Sequence, residues 1–259
     1  MGYINLSNEQ VNISNGEVLF EESGHKFIWL GWDEADIKGS FIQVNQYLII
    51  SNGKGTLLDP GGVHVFPKVV ANVSRYIDLA DIKNIFYTHQ DPDVSSGIAM
   101  WLSITSANVY ISKLWVRFLP HFGITDVSRI IPIEDNGGRI DSFEVIPAHF
   151  MHSPGQHTLY DPTSKILFSG DVGAAVFGSK TYLFVEDFNA HVALMEGFHK
   201  RYMASNAVCR NFVNRVRKYD INMIAPQHGA VFKKESAKSF LSWLESLRCG
   251  SDIVDEISR

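Results

Sequence analysis

Apolar and polar positions alternate through EVLFEESGHKFIWLGW and again through SFIQVNQYLIISNGKGTLLDPGG. β-Branched and aromatic side chains fill both runs. SNGKG supplies the Asn-Gly pair that a tight turn takes, so antiparallel hairpins are expected. After Pro67 the apolar spacing in VFPKVVANVSRYI becomes helical. NIFYT then reads as a buried strand, and DVSSGIAMWLSIT as a helix opening on Asp93, a residue type suited to an N-cap. NVYIS and RIIPI read as strands either side of a helix through KLWVRFLPHF. FEVIPAHF, HTLYD and KILFSGD form a second meander, with DPTSK as a tight turn. Helices over NAHVALMEGFHKRYM and NAVCRNFVNRVRKY precede a last strand in INMIAPQHG and a terminal amphipathic helix in KESAKSFLSWLESL.

No internal repeat or Pro/Ser-rich linker interrupts this order, so one domain over residues 1–259 is the economical expectation. Strand-rich halves with helices between and after them predict an α/β fold of two sheets face to face, helices outside, with ligands at loops off strand ends. The hydrophobic fraction of 45% over 259 residues can fill a large core. A net charge of −5 leaves no basic footprint, which argues against nucleic acid. No apolar run approaches the ~18–20 residues of a membrane-spanning helix, and MGYINLSNEQ does not resemble a secretory signal. Cys209 and Cys249 are far apart and outside any CxxC pair, so no disulfide framework is expected and the cytoplasm is the default compartment.

Four loops after apolar strands carry candidate ligands: THQDPD, PAHFMHSPGQH, SGD and PQHG. A single His or Asp at a strand end is ordinarily a cap or a packed side chain. Four strand ends offering both together point to a metal, because convergent, rigidly held imidazole and carboxylate groups are what such a site needs.

These motifs, in this order, resemble the metallo-β-lactamase fold, a four-layer αββα sandwich with a two-metal site. TLLDPGG near Asp59 is similar to the segment that opens that fold, and the resemblance runs from roughly Phe41 to Phe232. The hydrolase branch has HxHxDH, whereas this chain reads His89-Gln90-Asp91-Pro92-Asp93-Val94. A carboxylate at the second position is similar to the HxExDH of the flavodiiron branch. Eighteen residues separate His152 from Asp171, as that branch spaces them; His157, in PGQH, is the rival.

Carried over, the resemblance implies one iron on His89, Asp91 and His152 and another on Asp93 and His228. Asp171 and an oxo, hydroxo or peroxo ligand would bridge them. Val94 replaces a histidine, which leaves the second iron one nitrogen short. His149 is a candidate replacement, against the reading that it only supports a ligand; a bend in AHFMH must then bring both histidines inward. Two Fe(II) ions carry four positive charges, which three aspartates and one hydroxide cancel, so iron is expected over zinc.

The chain runs only about thirty residues past His228 and has no Gly/Ser/Thr-rich phosphate loop after a strand, so no flavin is expected in it. The resemblance is therefore to stand-alone oxygen-binding diiron proteins linked to chemoreceptors. It implies a non-haem diiron protein that binds dioxygen, forms a peroxo-type adduct and acts as an oxygen or iron redox sensor. The alternatives are an O2 or NO reductase fed by an external flavodoxin- or rubredoxin-type donor, and a dinuclear zinc hydrolase. A chemoreceptor or a redox partner protein is the implied partner, and a homodimer is compatible with the sequence. Asp59 is expected to bond a ligand histidine. Tyr160, Phe150, Phe168, Phe177 and Phe184 are expected in the core or a dry pocket wall, and Tyr182 is a candidate donor to bound oxygen. His25, His64, His121, His191 and His199 are expected as surface or packing residues, with His191 and His199 sharing a helix; Trp101 and Trp115 are expected in the core.

Overall fold

A computed structural model of the chain describes residues 2–33, 42–178 and 180–257. Ser40 and Phe41, at the head of the second expected strand run, lie outside the described residues, as do Met1 and Arg259. The chain divides into two compact units, Met1–Asp135 and Asn136–Arg259.

The first unit is built on a seven-stranded sheet whose strands lie in chain order. β1 (Glu17–Glu22), β2 (His25–Trp29), β3 (Tyr47–Ser51) and β4 (Lys54–Leu58) pair antiparallel. β5 (Ile82–Phe86), β6 (Asn108–Ser112) and β7 (Ile130–Ile133) add in parallel. Asn52 and Gly53, with φ of 51° and 75°, join β3 to β4 with both central residues at positive φ, the type I′ requirement the Asn-Gly pair signalled. α1 (Phe66–Val73) follows β4. The stretch expected as one helix on Asp93 is instead α2 (Pro92–Ser95) and α3 (Ile98–Ile104), and its N-cap is Asp91. The break falls at Gly97, where an added Cβ would lie 2.7 Å from the Gly61 carbonyl oxygen, so the TLLDPGG turn presses on the helix there. The helix expected through KLWVRFLPHF is also shorter: α4 (Lys113–Val116) gives way to a 3-10 turn at Leu119–Phe122. Ile85, Val94, Ile98, Trp101 and Val109 are fully buried in this unit's core.

The second unit holds a six-stranded sheet in the order β13-β12-β11-β10-β9-β8. Its strands are β8 (Gly138–Ile140), β9 (Phe143–Pro147), β10 (His157–Asp161), β11 (Ile166–Gly170), β12 (Met223–Pro226) and β13 (Phe232–Lys233). β11 and β12 run parallel, and the chain crosses between them through α5 (Phe188–Tyr202) and α6 (Asn206–Val216). α7 (Lys234–Ser246) and α8 (Val254–Ile257) close the unit. β8 and β13 have three and two residues, too short to show a period of two, and are the strands the hydrophobic pattern missed. Leu167, Phe212, Val213, Ile224, Phe232 and Phe240 form its core. Among the described residues no helix is long and apolar enough to cross a membrane.

Candidate metal centre

In the first unit the loop leaving β5 presents His89, Asp91 and Asp93. His89 is nearly fully buried, and its Nε2 lies 3.7 Å from Asp91 Oδ2. The orientation of the ring follows from a relay behind it. Asp59, itself buried, accepts the Thr88 amide at 2.8 Å on one oxygen and the Thr88 hydroxyl at 2.6 Å on the other. A hydroxyl has one proton. Because Thr88 gives its proton to Asp59, its oxygen accepts from His89 Nδ1, 2.8 Å away. Nδ1 therefore carries the ring hydrogen, and Nε2 is left with a lone pair for a metal. Asp59 thus acts on the histidine through Thr88. Burial, with the nearby Asp59 charge, also holds the Tyr87 phenol well above its usual pKa. Replacing Thr88 by valine keeps the shape and breaks the relay; metal affinity is expected to fall about 10–100-fold with the fold intact, as metal titration with circular dichroism would report.

Asp91 is the α2 cap residue, with its side chain 32% exposed. Gln90 Nε2 donates to its Oδ1 at 3.1 Å, and the single Ser95 hydroxyl proton is shared between the Gln90 and Asp91 carbonyls, 2.9 and 3.0 Å from Oγ. Asp93 sits in the first turn of α2, half-buried. Its neighbour Val94 lies fully buried in the apolar core.

In the second unit His152, Asp171 and His228 converge. Asp171, 3% exposed, has Oδ2 3.7 Å from His152 Nε2 and Oδ1 3.6 Å from His228 Nε2. These separations are too long for hydrogen bonds. They suit ligand atoms held at ~2.0–2.2 Å from a common ion. The carboxylate faces a different imidazole with each oxygen. The segment around His152 is a tight turn and not an extended strand: Met151 N–H donates to Ala148 O at 3.0 Å and Phe150 N–H to Ser153 O at 2.8 Å. Phe150 and His152 hold φ of 63° and 104°, sparsely populated for side-chain-bearing residues. His152 packs edge-on to Tyr202, with ring centroids 5.3 Å apart. His149 lies edge-to-face against His157 at 5.2 Å; His157 itself is buried within β10.

The Asp171 and His228 loops are latched together. Gln227 N–H donates to Gly170 O at 2.8 Å and Ala175 N–H to His228 O at 3.3 Å. Gly229 has φ of 81°, and a Cβ there would meet Ala175 Cβ at 2.6 Å, so only glycine permits the approach.

His199, read from the sequence as a packing or surface residue, is fully buried and holds this loop. Its Nε2 accepts the Gly173 amide at 3.0 Å and its Nδ1 donates to Met195 O at 2.8 Å. His191 is also buried, and its Nδ1 meets the Tyr182 hydroxyl at 2.9 Å. Burial lowers both imidazoles to about 4. Their placement inside the core could be suspected only from their spacing of eight on one helix. The folded protein takes up their protons at lower pH than the unfolded chain, so stability is full above the ordinary histidine pKa and is lost as pH falls from 6.5 towards about 4. Each group is expected to withdraw about 3 kcal/mol at full loss. Urea unfolding of the metal-free chain across that window checks this, and His191→Gln should remove about half of the slope.

A family model described as "ODP family beta lactamase" matches residues 42–229. A solved structure described as a peroxy diiron species of a chemotaxis sensor ODP shares 52% identity with this chain, with a TM-score of 0.85 over 94% of this chain and 99% of that one. The apo state of the chemotaxis sensor ODP from T. denticola gives 53% identity and 0.83, over 93% and 98%. A flavo di-iron protein mutant from Thermotoga maritima is 18% identical with a TM-score of 0.74, over 89% of this chain and 60% of that one, a likeness of fold. An uncharacterized protein of Methanocaldococcus jannaschii is 24% identical over 218 residues; the alignment takes in 80% of this chain but only 55% of that protein's length.

Proposed function

This chain belongs to the ODP family of β-lactamase-like proteins, with the metallo-β-lactamase fold, and from that premise we propose that it is a non-haem diiron protein that binds dioxygen and serves as an oxygen or iron redox sensor. The observation that carries this reading is Asp171, whose two oxygens face His152 and His228 at 3.7 and 3.6 Å, as a carboxylate shared by two ions requires. His89, Asp91 and His152 would hold one iron, Asp93 and His228 the other, and Asp171 both; His149 is the candidate for the position that Val94 leaves empty. Iron bound there supplies the one-electron chemistry that dioxygen needs.

The protein's own groups do the rest. Three carboxylates balance most of the charge of two divalent ions, so that the buried site stays near neutral. The Asp59–Thr88 pair fixes the His89 ring, and His199 fixes the amide two residues past Asp171. Val94, sealed into the apolar core, offers no nitrogen donor, so unless His149 takes that place the centre would have six protein ligands where the flavodiiron pattern has seven, which would change the second iron's potential. That two relatives are described as chemotaxis sensors supports a chemoreceptor as the partner, and the cytoplasm rests on the sparse cysteine usage alone.

The test is to purify the protein without oxygen, count its iron, reload it with Fe(II), and record visible absorption after one pulse of air. Two irons and a new band lasting minutes support the sensor. Rapid bleaching with repeated oxygen consumption, given an external reductant, makes it a reductase. Two tightly held zincs and no oxygen chemistry of the iron form make it a hydrolase.

A further inference from the structure

The chain's two cysteines, Cys209 on α6 and Cys249 just past α7, meet inside the second unit. They stand 40 positions apart in the chain, yet both are fully buried, both are free thiols, and their sulfurs lie 3.6 Å apart. The backbones that carry them are latched together. The Asn206 side-chain amide donates to the Glu245 and Leu247 carbonyls, each at 2.8 Å. Asp252 Oδ2 accepts the Asn206 backbone amide at 2.6 Å and the Cys249 amide at 3.1 Å, so one carboxylate oxygen ties the start of α6 to Cys249. A disulfide holds its sulfurs ~2.05 Å apart, so this pair, 3.6 Å apart, has about 1.5 Å to close with its chain segments already in place. The Cys209 thiol donates to the Cys249 sulfur, which holds the Cys249 thiol below its usual range and Cys209 above it. Cys249 therefore ionises first, and the thiolate is the form that attacks.

Cys249 is also linked to the turn that sets His152. Gly250, at φ of 52°, presses on the segment after α5, where an added Cβ would run into the Met203 and Ala204 carbonyl oxygens. Ser251 donates its amide to the Ala204 carbonyl at 2.9 Å, and the Ala204 amide donates to the Phe150 carbonyl at 3.2 Å. Phe150 and His152 are the two residues at positive φ in that turn.

We propose that Cys209 and Cys249 are a peroxide-sensitive pair: hydrogen peroxide joins them in a disulfide, and the new bond draws Gly250 and Ser251 away from Ala204 and loosens the turn that carries His152. The Cys249 thiolate attacks one peroxide oxygen, the O–O bond breaks, and hydroxide leaves and takes up the proton Cys249 released. The Cys209 sulfur then attacks the sulfenic acid; its S–O bond breaks and the oxygen leaves with the Cys209 proton as a second water. The thiols lose two electrons and two protons, and one peroxide becomes two waters. Peroxide enters when the single 3-10 turn Gly250–Ile253 opens, with Arg248, Ser251 and Asp252 exposed around it. In a reducing compartment such a disulfide is transient, as a signal requires. The pair stands independently of any metal; only its effect on His152 as a ligand rests on the diiron reading.

The experiment treats the reduced, metal-free full chain with hydrogen peroxide, removes the peroxide, and counts thiols in denaturant beside a non-reducing peptide map. Loss of both thiols is expected, with one cross-linked peptide pair holding Cys209 and Cys249, a mass lower by two hydrogens, and full recovery in dithiothreitol. Cys209→Ser should stop at a Cys249 sulfenic acid that dimedone traps, and Cys249→Ser should leave Cys209 about tenfold slower to react. Circular dichroism establishes that each variant is folded; where one is not, the peptide map of the unaltered chain decides. Thiols that survive about a hundredfold excess of peroxide in the folded chain while the urea-unfolded chain oxidises, or cross-links between chains alone, overturn the pair. For the coupling, Co(II) is titrated into the reduced and the oxidised chain and followed by its visible spectrum. The disulfide should weaken Co(II) binding about threefold or more. Reduction and desalting should restore the affinity, and peroxide should leave the Cys209→Ser/Cys249→Ser double variant unchanged. An equal or tighter affinity in the oxidised chain overturns the coupling and leaves the disulfide standing. A chain that takes up no Co(II) in either state refutes the diiron reading, while the metal-free thiol count still decides the pair.

Discussion

Asp171→Asn is expected to lower bound iron from about two ions per chain to fewer than one, with metal affinity down about 100-fold or more. Asparagine keeps the shape but offers one carbonyl oxygen and an amide nitrogen that cannot ligate, so two imidazoles can no longer share one carboxylate. It also deletes one of three negative charges in a buried site; Asp171 is only 3% exposed. The loop around it should survive, because its latches do not use the Asp171 side chain: the Gly173 amide donates to His199 Nε2 and the Ala175 amide to the His228 carbonyl. Iron analysis after anaerobic reconstitution, beside a circular dichroism spectrum, separates loss of metal from loss of fold. Two irons retained in a folded Asp171→Asn protein would remove the bridging role.

Trp101→Ala should cost about 3–5 kcal/mol of stability, read as a lower urea midpoint at an unchanged slope. Trp101 is fully buried on α3, edge-on to Phe66 with centroids 5.0 Å apart, and packs in the same cluster as Val94 and Ile98. No collapse of neighbouring strands can fill the space an indole leaves. Its Nε1 has no hydrogen-bond partner, so Trp101→Phe gives up volume alone and should cost about half as much or less. A loss below about 1 kcal/mol in the alanine variant would show that this helix is not anchored through Trp101.

Much of the fold was legible because its signals are local. Alternation marked β1 to β4, the Asn-Gly pair marked the turn at Asn52 and Gly53, and helical spacing marked α5, α6 and α7. The six residues proposed as iron ligands could be singled out as well, because each follows an apolar strand within a few residues and their order resembles one family. What escaped depends on contacts between residues far apart in the chain. Gly61 meeting Gly97 splits the helix after the ligand loop and moves its cap to Asp91. A turn at positive φ sets His152, which no residue preference would forecast for a histidine.

The amino-acid sequence by itself determined the longer strands and the His and Asp residues that follow them, since both can be read along a few residues, whereas β8 and β13 are too short to carry a period. Only the tertiary structure decided how those donors are held. Thr88 stands between Asp59 and His89 and sets the tautomer, and His199 reaches across from α5 to the amide beyond Asp171. Each of these joins groups that chain order leaves far apart. A hydrogen bond acts over about 3 Å, so it exists only once folding has brought both partners to that distance.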